Sequence, residues 1–129
     1  MNVLRERLGL DREALRVEDV ERPVGPGLVV MVDVACEHVN AVFTGFVERR
    51  EPVERVAGAV ADEASAWLAD DVPVDTHLAD QLLLPLALAL GGRFRTGPLS
   101  LHATTNAALI QRFVPVRFVV EGVEVRVEG

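Results

Sequence analysis

The spacing of apolar side chains changes character along the chain, and each change marks an element. Val3, Leu4, Leu8 and Leu10 fall roughly at helical intervals and Gly9 supplies a stop, predicting a short helix over residues 2–9. So short a helix, with no cap before it, is marginal alone and reads as the end of a longer element. Residues 15–21, LRVEDVE, alternate apolar and charged, the pattern of a strand with one wet face. RPVGPG, at 22–27, is a breaker. The β-branched runs LVVMVDVACE (28–37) and VNAVFTGFVE (39–48) then predict two antiparallel strands around a tight turn at His38-Val39-Asn40. From 52 to 69 the period becomes helical. Pro52 suits a first turn, Val53, Val56, Val60, Ala64, Trp67 and Leu68 form one side, and Glu54, Arg55, Asp62 and Glu63 the other.

ADDVPVD, at 69–75, breaks this helix, and the boundary between two lobes is placed there, 1–72 and 73–129. The next helix, 76–90, has Asp75 or Thr76 as its cap and Leu78, Leu82, Leu83, Leu86 and Leu90 as its apolar side. Pro85 should kink it or mark a contact on its outer face. His77, Asp80 and Gln81 stand at i, i+3 and i+4, on one face of the first turns. Beyond Gly91-Gly92, RFRTGPLSLH is a β-type segment delivering His102 to a strand-to-helix junction. ATTNAALIQRF predicts a helix capped by Thr104 or Thr105 and packed through Ala107, Ala108, Leu109, Ile110 and Phe113. VPVRFVVEGVEVRVE alternates on both sides of Glu121-Gly122, a terminal hairpin. The fold class is α+β: a lobe of strands with one long helix, then two helices on a small mixed sheet.

Composition narrows the chemistry. With 129 residues, half of them hydrophobic, the chain can bury one ordinary core or two small lobes. The longest apolar run, Leu82 to Leu90, contains Pro85 and falls short of the roughly 20 residues of a membrane span. The first residues alternate charge with apolar side chains and carry no signal-peptide core, so a cytoplasmic location and no membrane are expected. Cys36 is the single cysteine, which excludes an intrachain disulfide and a cysteine-cluster metal site. A net charge of −7 argues against a free-standing nucleic-acid binder. All thirteen basic residues are arginine; without lysine there is no Schiff base, phosphate-loop lysine or lysyl-nucleotide. Covalent nucleotidyl chemistry would fall to histidine. Spacing alone also admits plainer roles: Asp80 complementing a helix dipole, His77 and Gln81 solvated, and His102 structural.

HLADQLLLPLALALGG, a glycine-proline segment and then LSLHATTN resemble the carboxy-terminal part of the RNA 3′-terminal phosphate cyclase family. GPGLVVMVDV and FTGFVERREPVERVA resemble the domain inserted into that family's larger catalytic domain. The resemblance covers nearly the whole chain and about the last third of a family member. It implies a cyclase/enolpyruvate-transferase-like fold, with residues 1–72 a partial insert domain and 73–129 the carboxy-terminal segment of the catalytic domain. It also implies a two-step nucleotidyl transfer using ATP and Mg2+. A histidine takes AMP from ATP, AMP passes to an RNA 3′-phosphate, and the neighbouring 2′-hydroxyl displaces it to leave a 2′,3′-cyclic phosphate. The position matching the nucleophile is His102, and those matching the adenylate pocket are His77, Asp80 and Gln81; Thr104 and Asn106 match the motif too. Neutral imidazole is a nucleophile near neutral pH, and a carboxylate and amide suit adenylate positioning.

The family's amino-terminal two-thirds is absent, with its phosphate-binding arginines and a glutamate near the metal, and Arg93 and Arg95 are a weak substitute. The resemblance therefore implies a truncated or split cyclase that engages an RNA 3′-phosphate end only when a second polypeptide completes it. A non-catalytic module of RNA processing or ribosome maturation is the alternative, and a gene remnant the third. Uncovered sheet edges and apolar faces point to a partner chain or a homo-oligomer.

Overall fold

A computed structural model describes residues 2–129 and divides the chain into two compact units, the first ending at Ala66 and the second Trp67–Gly129. The division falls within the helix Val53–Asp70. Among the described residues the chain is mixed α and β, with four α-helices and two small antiparallel sheets.

In the first unit, helix α1 (Asn2–Leu8) buries Leu4, and Arg7 makes an ion pair with Asp62 and reaches the carbonyl of Gly58 at 3.5 Å. A 3-10 turn, Arg12–Ala14, follows. Strands β1 (Leu28–Ala35) and β2 (Asn40–Val47) pair antiparallel from Leu28↔Val47 to Ala35↔Asn40. Their loop is closed by the Cys36 amide donating to the Val39 carbonyl at 2.9 Å. Val30, Val32, Ala41 and Phe43 are buried on one face. The part of helix α2 (Val53–Asp70) in this unit buries Val56, Ala57, Val60, Ala61 and Ala64; Trp67, where the second unit begins, is buried as well. The strand expected at 15–21 does not form. Val17 and Val20 are each 74% exposed, and with no neighbouring ladder an alternating segment has nothing to bury its apolar side against.

In the second unit, helix α3 (Thr76–Leu88) is capped by Asp75, whose carboxylate accepts from the amides of His77 at 2.8 Å and Leu78 at 3.1 Å. Its buried line is Ala79, Leu83 and Ala87. Leu82 and Leu86 flank that line, whereas Leu78 and Leu90 are exposed, so the apolar side is rotated from the leucine series expected. The chain reverses through Leu90 (φ 56) and Gly92 (φ 138) into strand β3 (Gly91–Arg95). Helix α4 (Leu101–Ile110) follows, then strands β4 (Arg117–Glu121) and β5 (Glu124–Glu128), joined through Gly122 at φ 60. The sheet order is β3-β5-β4, antiparallel throughout, which corrects the mixed sheet expected; parallel pairing occurs as the isolated bridge Val74↔Thr96. Phe94 and Val125 turn into one core with Leu83, Ala87, Ala103, Ala107 and Ile110. Leu109 and Phe113, expected in that core, are 54% and 80% exposed because Ala103, Ala107 and Ile110 form the inward line instead.

Gly45 shows how closely β2 lies on α2, since a Cβ there would stand 2.5 Å from Val56 Cγ1 and 2.7 Å from Val60 Cγ2. Gly45→Ala should destabilise the first unit by about 1–3 kcal/mol through overpacking, and Gly25→Ala, with no atom within 4 Å of its Cβ, should be near neutral; urea unfolding measures both. On the second sheet, the Arg117 guanidinium hydrogen-bonds the Glu128 carboxylate at 2.9 Å and holds its pKa below the ordinary range. A carboxylate lowered in the folded state stabilises it above the unfolded pKa, and the contribution is lost as pH falls through the folded one. Carboxyl titration by NMR should show Glu128 returning to the ordinary range in Arg117→Gln.

Candidate functional site

Two backbone caps set the site's geometry. Asp75 starts α3 so that Asp80 falls in its second turn, facing α4. Ser100 starts α4, its hydroxyl accepting from the Ala103 amide at 3.0 Å. The helix therefore begins before His102, not after it. His102 lies in the first turn of α4, which corrects the strand-to-helix junction expected. The expected caps also differ: Thr104 donates to the carbonyls of Ser100 at 3.2 Å and Leu101 at 3.0 Å, and Thr105 donates to Leu101 at 2.8 Å. Both hydroxyls are spent on their own helix rather than on a cap or a ligand.

His102 and Asn106 are four residues apart on α4 and so share a face. Asp80 meets both. Its Oδ2 is 3.0 Å from His102 Nδ1, and its Oδ1 accepts from Asn106 Nδ2 at 3.0 Å. The carboxylate is only 22% exposed, and these two contacts replace the water it gives up. The His102 ring is 79% exposed, so its second nitrogen, Nε2, is open to an incoming group. A carboxylate at Nδ1 favours, in a neutral ring, the tautomer with its hydrogen on Nδ1 and its lone pair on Nε2. That arrangement suits a nucleophile or a base.

The candidate residues separate in this structure. Asp80 and His102 are brought into contact. His77 lies exposed in the first turn of α3, its amide bound by Asp75, and Gln81 lies exposed beside Asp80 in sequence. Asn106 is the addition: its motif position was visible, but its bond to Asp80 was not. The i, i+4 spacing of His102 and Asn106 carries that signal once the helix is started at Leu101. Among the described residues, no group of three or more His, Cys, Asp or Glu side chains is placed to hold a metal ion. A cavity of about 570 Å3 lies in the first unit, lined from Leu4 to Ala57, and includes none of these residues.

The family model for RNA 3′-terminal phosphate cyclase matches residues 6–120. The RNA 3′-terminal phosphate cyclase of Pseudomonas aeruginosa (strain PAO1) is 43% identical over 114 residues, 88% of this chain and 33% of that protein. The protein of the same name in Ralstonia nicotianae is 46% identical over 105 residues, 81% of this chain and 30% of that protein. The one in Salmonella enteritidis is 42% identical over 105 residues, 81% and 31% respectively. The chain thus spans about a third of the length of the curated relatives it matches.

The contact between Asp80 and Nδ1 has a direct readout. Long-range 15N–1H spectra should find the neutral His102 ring as the Nδ1–H tautomer, and Asp80→Ala should shift it toward Nε2–H. An unchanged tautomer in the variant would mean that Asp80 does not set the ring's proton.

Proposed function

The chain belongs to the RNA 3′-terminal phosphate cyclase family, and we propose that it carries the nucleophile-bearing part of an ATP-dependent RNA 3′-phosphate cyclase. The Asp80–His102 contact, 3.0 Å from carboxylate to Nδ1 of a largely exposed ring, carries this reading. His102 Nε2 attacks the α-phosphorus of ATP; the N–P bond forms as the bond to the pyrophosphate oxygen breaks. Asp80 keeps the proton on Nδ1 and stabilises the positive charge the ring gains during attack. Asn106 holds the other carboxylate oxygen and fixes the direction in which Asp80 points. AMP then passes to an RNA 3′-phosphate oxygen, and the 2′-hydroxyl attacks that phosphorus and expels AMP, leaving the 2′,3′-cyclic phosphate.

His77 and Gln81, exposed on α3, are the proposed lining of the adenylate pocket, with donors and acceptors for the nucleoside. Mg2+, if used, would be held with the phosphates of ATP and would offset their charge there. A chain of net charge −7 whose site offers a histidine, a carboxylate and two amides lacks the fixed positive charge that phosphoryl transfer draws on. The rest of a cyclase, corresponding to the part of the relatives these residues do not span, is the proposed source of that charge. The alternative of a non-catalytic assembly module leaves the exposed, carboxylate-oriented imidazole without a role.

The test is covalent labelling. The purified chain is incubated with α-32P-ATP and magnesium, alone and with the remaining part of a cyclase relative. Acid-labile, base-stable label is expected on the chain. It should vanish in His102→Ala and fall by about 100-fold in Asp80→Ala, since a misplaced ring loses the attack geometry. No label in either mixture, or label surviving in His102→Ala, overturns the reading.

A further inference from the structure

The sheet of the second unit has a charged outer face whose ion pairs are incomplete. Phe94 and Val125 point into the core as register partners, so Arg93 and Arg95 project from the other side of β3. By the same alternation, Glu124, Arg126 and Glu128 of β5 and Arg117 and Glu121 of β4 share that outer face. All three carboxylates are already engaged. Glu128 binds Arg117 at 2.9 Å, Glu121 binds Arg126 at 3.1 Å, and Glu124 lies 3.7 Å from Arg126. Arg93 and Arg95 are both exposed and form no ion pair within 4.0 Å among the described residues, although Arg95 stands opposite Glu124 in the register, in a chain with seven more acids than bases.

Arg93 is moreover the direct register partner of Arg126. Like charges facing each other across an antiparallel pair are destabilising, and an anion between them relieves the repulsion. The ground beside them is open. Gly91, two residues before Arg93 on the same face, carries no side chain, and a Cβ there would meet only the Val127 carbonyl, at 3.8 Å. β3 is an edge strand of its sheet. Two arginines at i and i+2 stand about 6.7 Å apart along it. Their guanidinium forks suit phosphate oxygens, and their planes stack on unpaired bases.

We propose that Arg93 and Arg95 bind the phosphodiester backbone of single-stranded RNA. The choice of RNA among polyanions rests on the cyclase reading above; the unpaired arginines do not. α3 and α4, which carry Asp80 and His102, pack on the opposite side of this sheet. The arginines therefore hold the strand away from its reacting end, and they act on RNA affinity without touching adenylate formation.

Fluorescence anisotropy of a labelled single-stranded RNA of about 12 nucleotides, titrated with the full chain over a salt series, tests this. Binding should weaken with salt. Arg93→Gln/Arg95→Gln should lower affinity by about tenfold or more at low salt and flatten the slope of log K against log salt by about 1.4, the share of two phosphates on a single strand. Both positions are exposed, and circular dichroism confirms the fold of the variant. The label from α-32P-ATP should be unchanged in the double variant, which separates this site from the histidine. Absence of salt-dependent RNA binding, an unchanged affinity and slope in the double variant, or equal binding of an acidic peptide of matching charge would overturn the assignment.

Discussion

The close approach of α3 to α4 is the constraint on which the second unit and its site both depend. Ala79 and Ala87 of one helix and Ala103 and Ala107 of the other belong to a single core with Leu83. Alanine at facing positions lets two helices pack with little between their backbones, and Leu83, fully buried, fills the remaining space. Asp80, His102 and Asn106 do not belong to that core. Each stands one residue from a buried alanine, about 100° around its helix, and so emerges at the rim of the interface. The contacts of Asp80 with His102 and Asn106 are a by-product of alanine packing. A larger side chain at Ala79 or Ala103 would force the helices apart and part the carboxylate from the ring.

The two sheets meet solvent differently, and the difference follows from register. In the second unit alternation places Phe94, Val125 and Val127 inward and a charged ladder outward, the arrangement an antiparallel sheet with one wet face requires. In the first unit the outer face of β1 and β2 is largely apolar. Val29, Met31, Val42 and Phe46 are 45%, 59%, 53% and 76% exposed, and Phe46 is the register partner of Val29. A two-stranded ribbon is marginal by itself, so its order here comes from the inner face, where Gly45 admits Val56 and Val60 of α2.

Much of this architecture was legible in the residues. The helix after Pro52, the helix after Asp75, the break at Gly91-Gly92 and the two hairpins all follow from period and punctuation. What failed did so for identifiable reasons. Alternation at 15–21 reports which side chains could share a face, but not whether a neighbouring strand exists to receive them. Pro98-Leu99-Ser100-Leu101 also alternates, and that pattern concealed Ser100 as a helix cap. Misplacing the start of α4 had a larger effect than its length implies. It put His102 outside the helix, hid its i, i+4 relation to Asn106, and led to Leu109 and Phe113 being chosen for the core over Ala103. Small residues carry little weight in a hydrophobic count, yet they mark where helices touch.

The chemistry of the site and its surroundings divides along the same lines. Asp80 orients a ring and balances the charge that ring acquires; Asn106 steadies Asp80. Neither offers positive charge to a triphosphate, and a carboxylate beside the nucleophile repels one. Four of the second unit's five arginines, Arg93, Arg95, Arg117 and Arg126, lie on the far face of the sheet from α3 and α4. Orientation of a nucleophile and neutralisation of its target are thus separable tasks, and on the proposed reading this chain performs the first. What these residues lack for the second task is then electrostatic before it is structural. Fixed cations must come to the His102 side of the helix pair from elsewhere, because the sheet's own arginines face away from it.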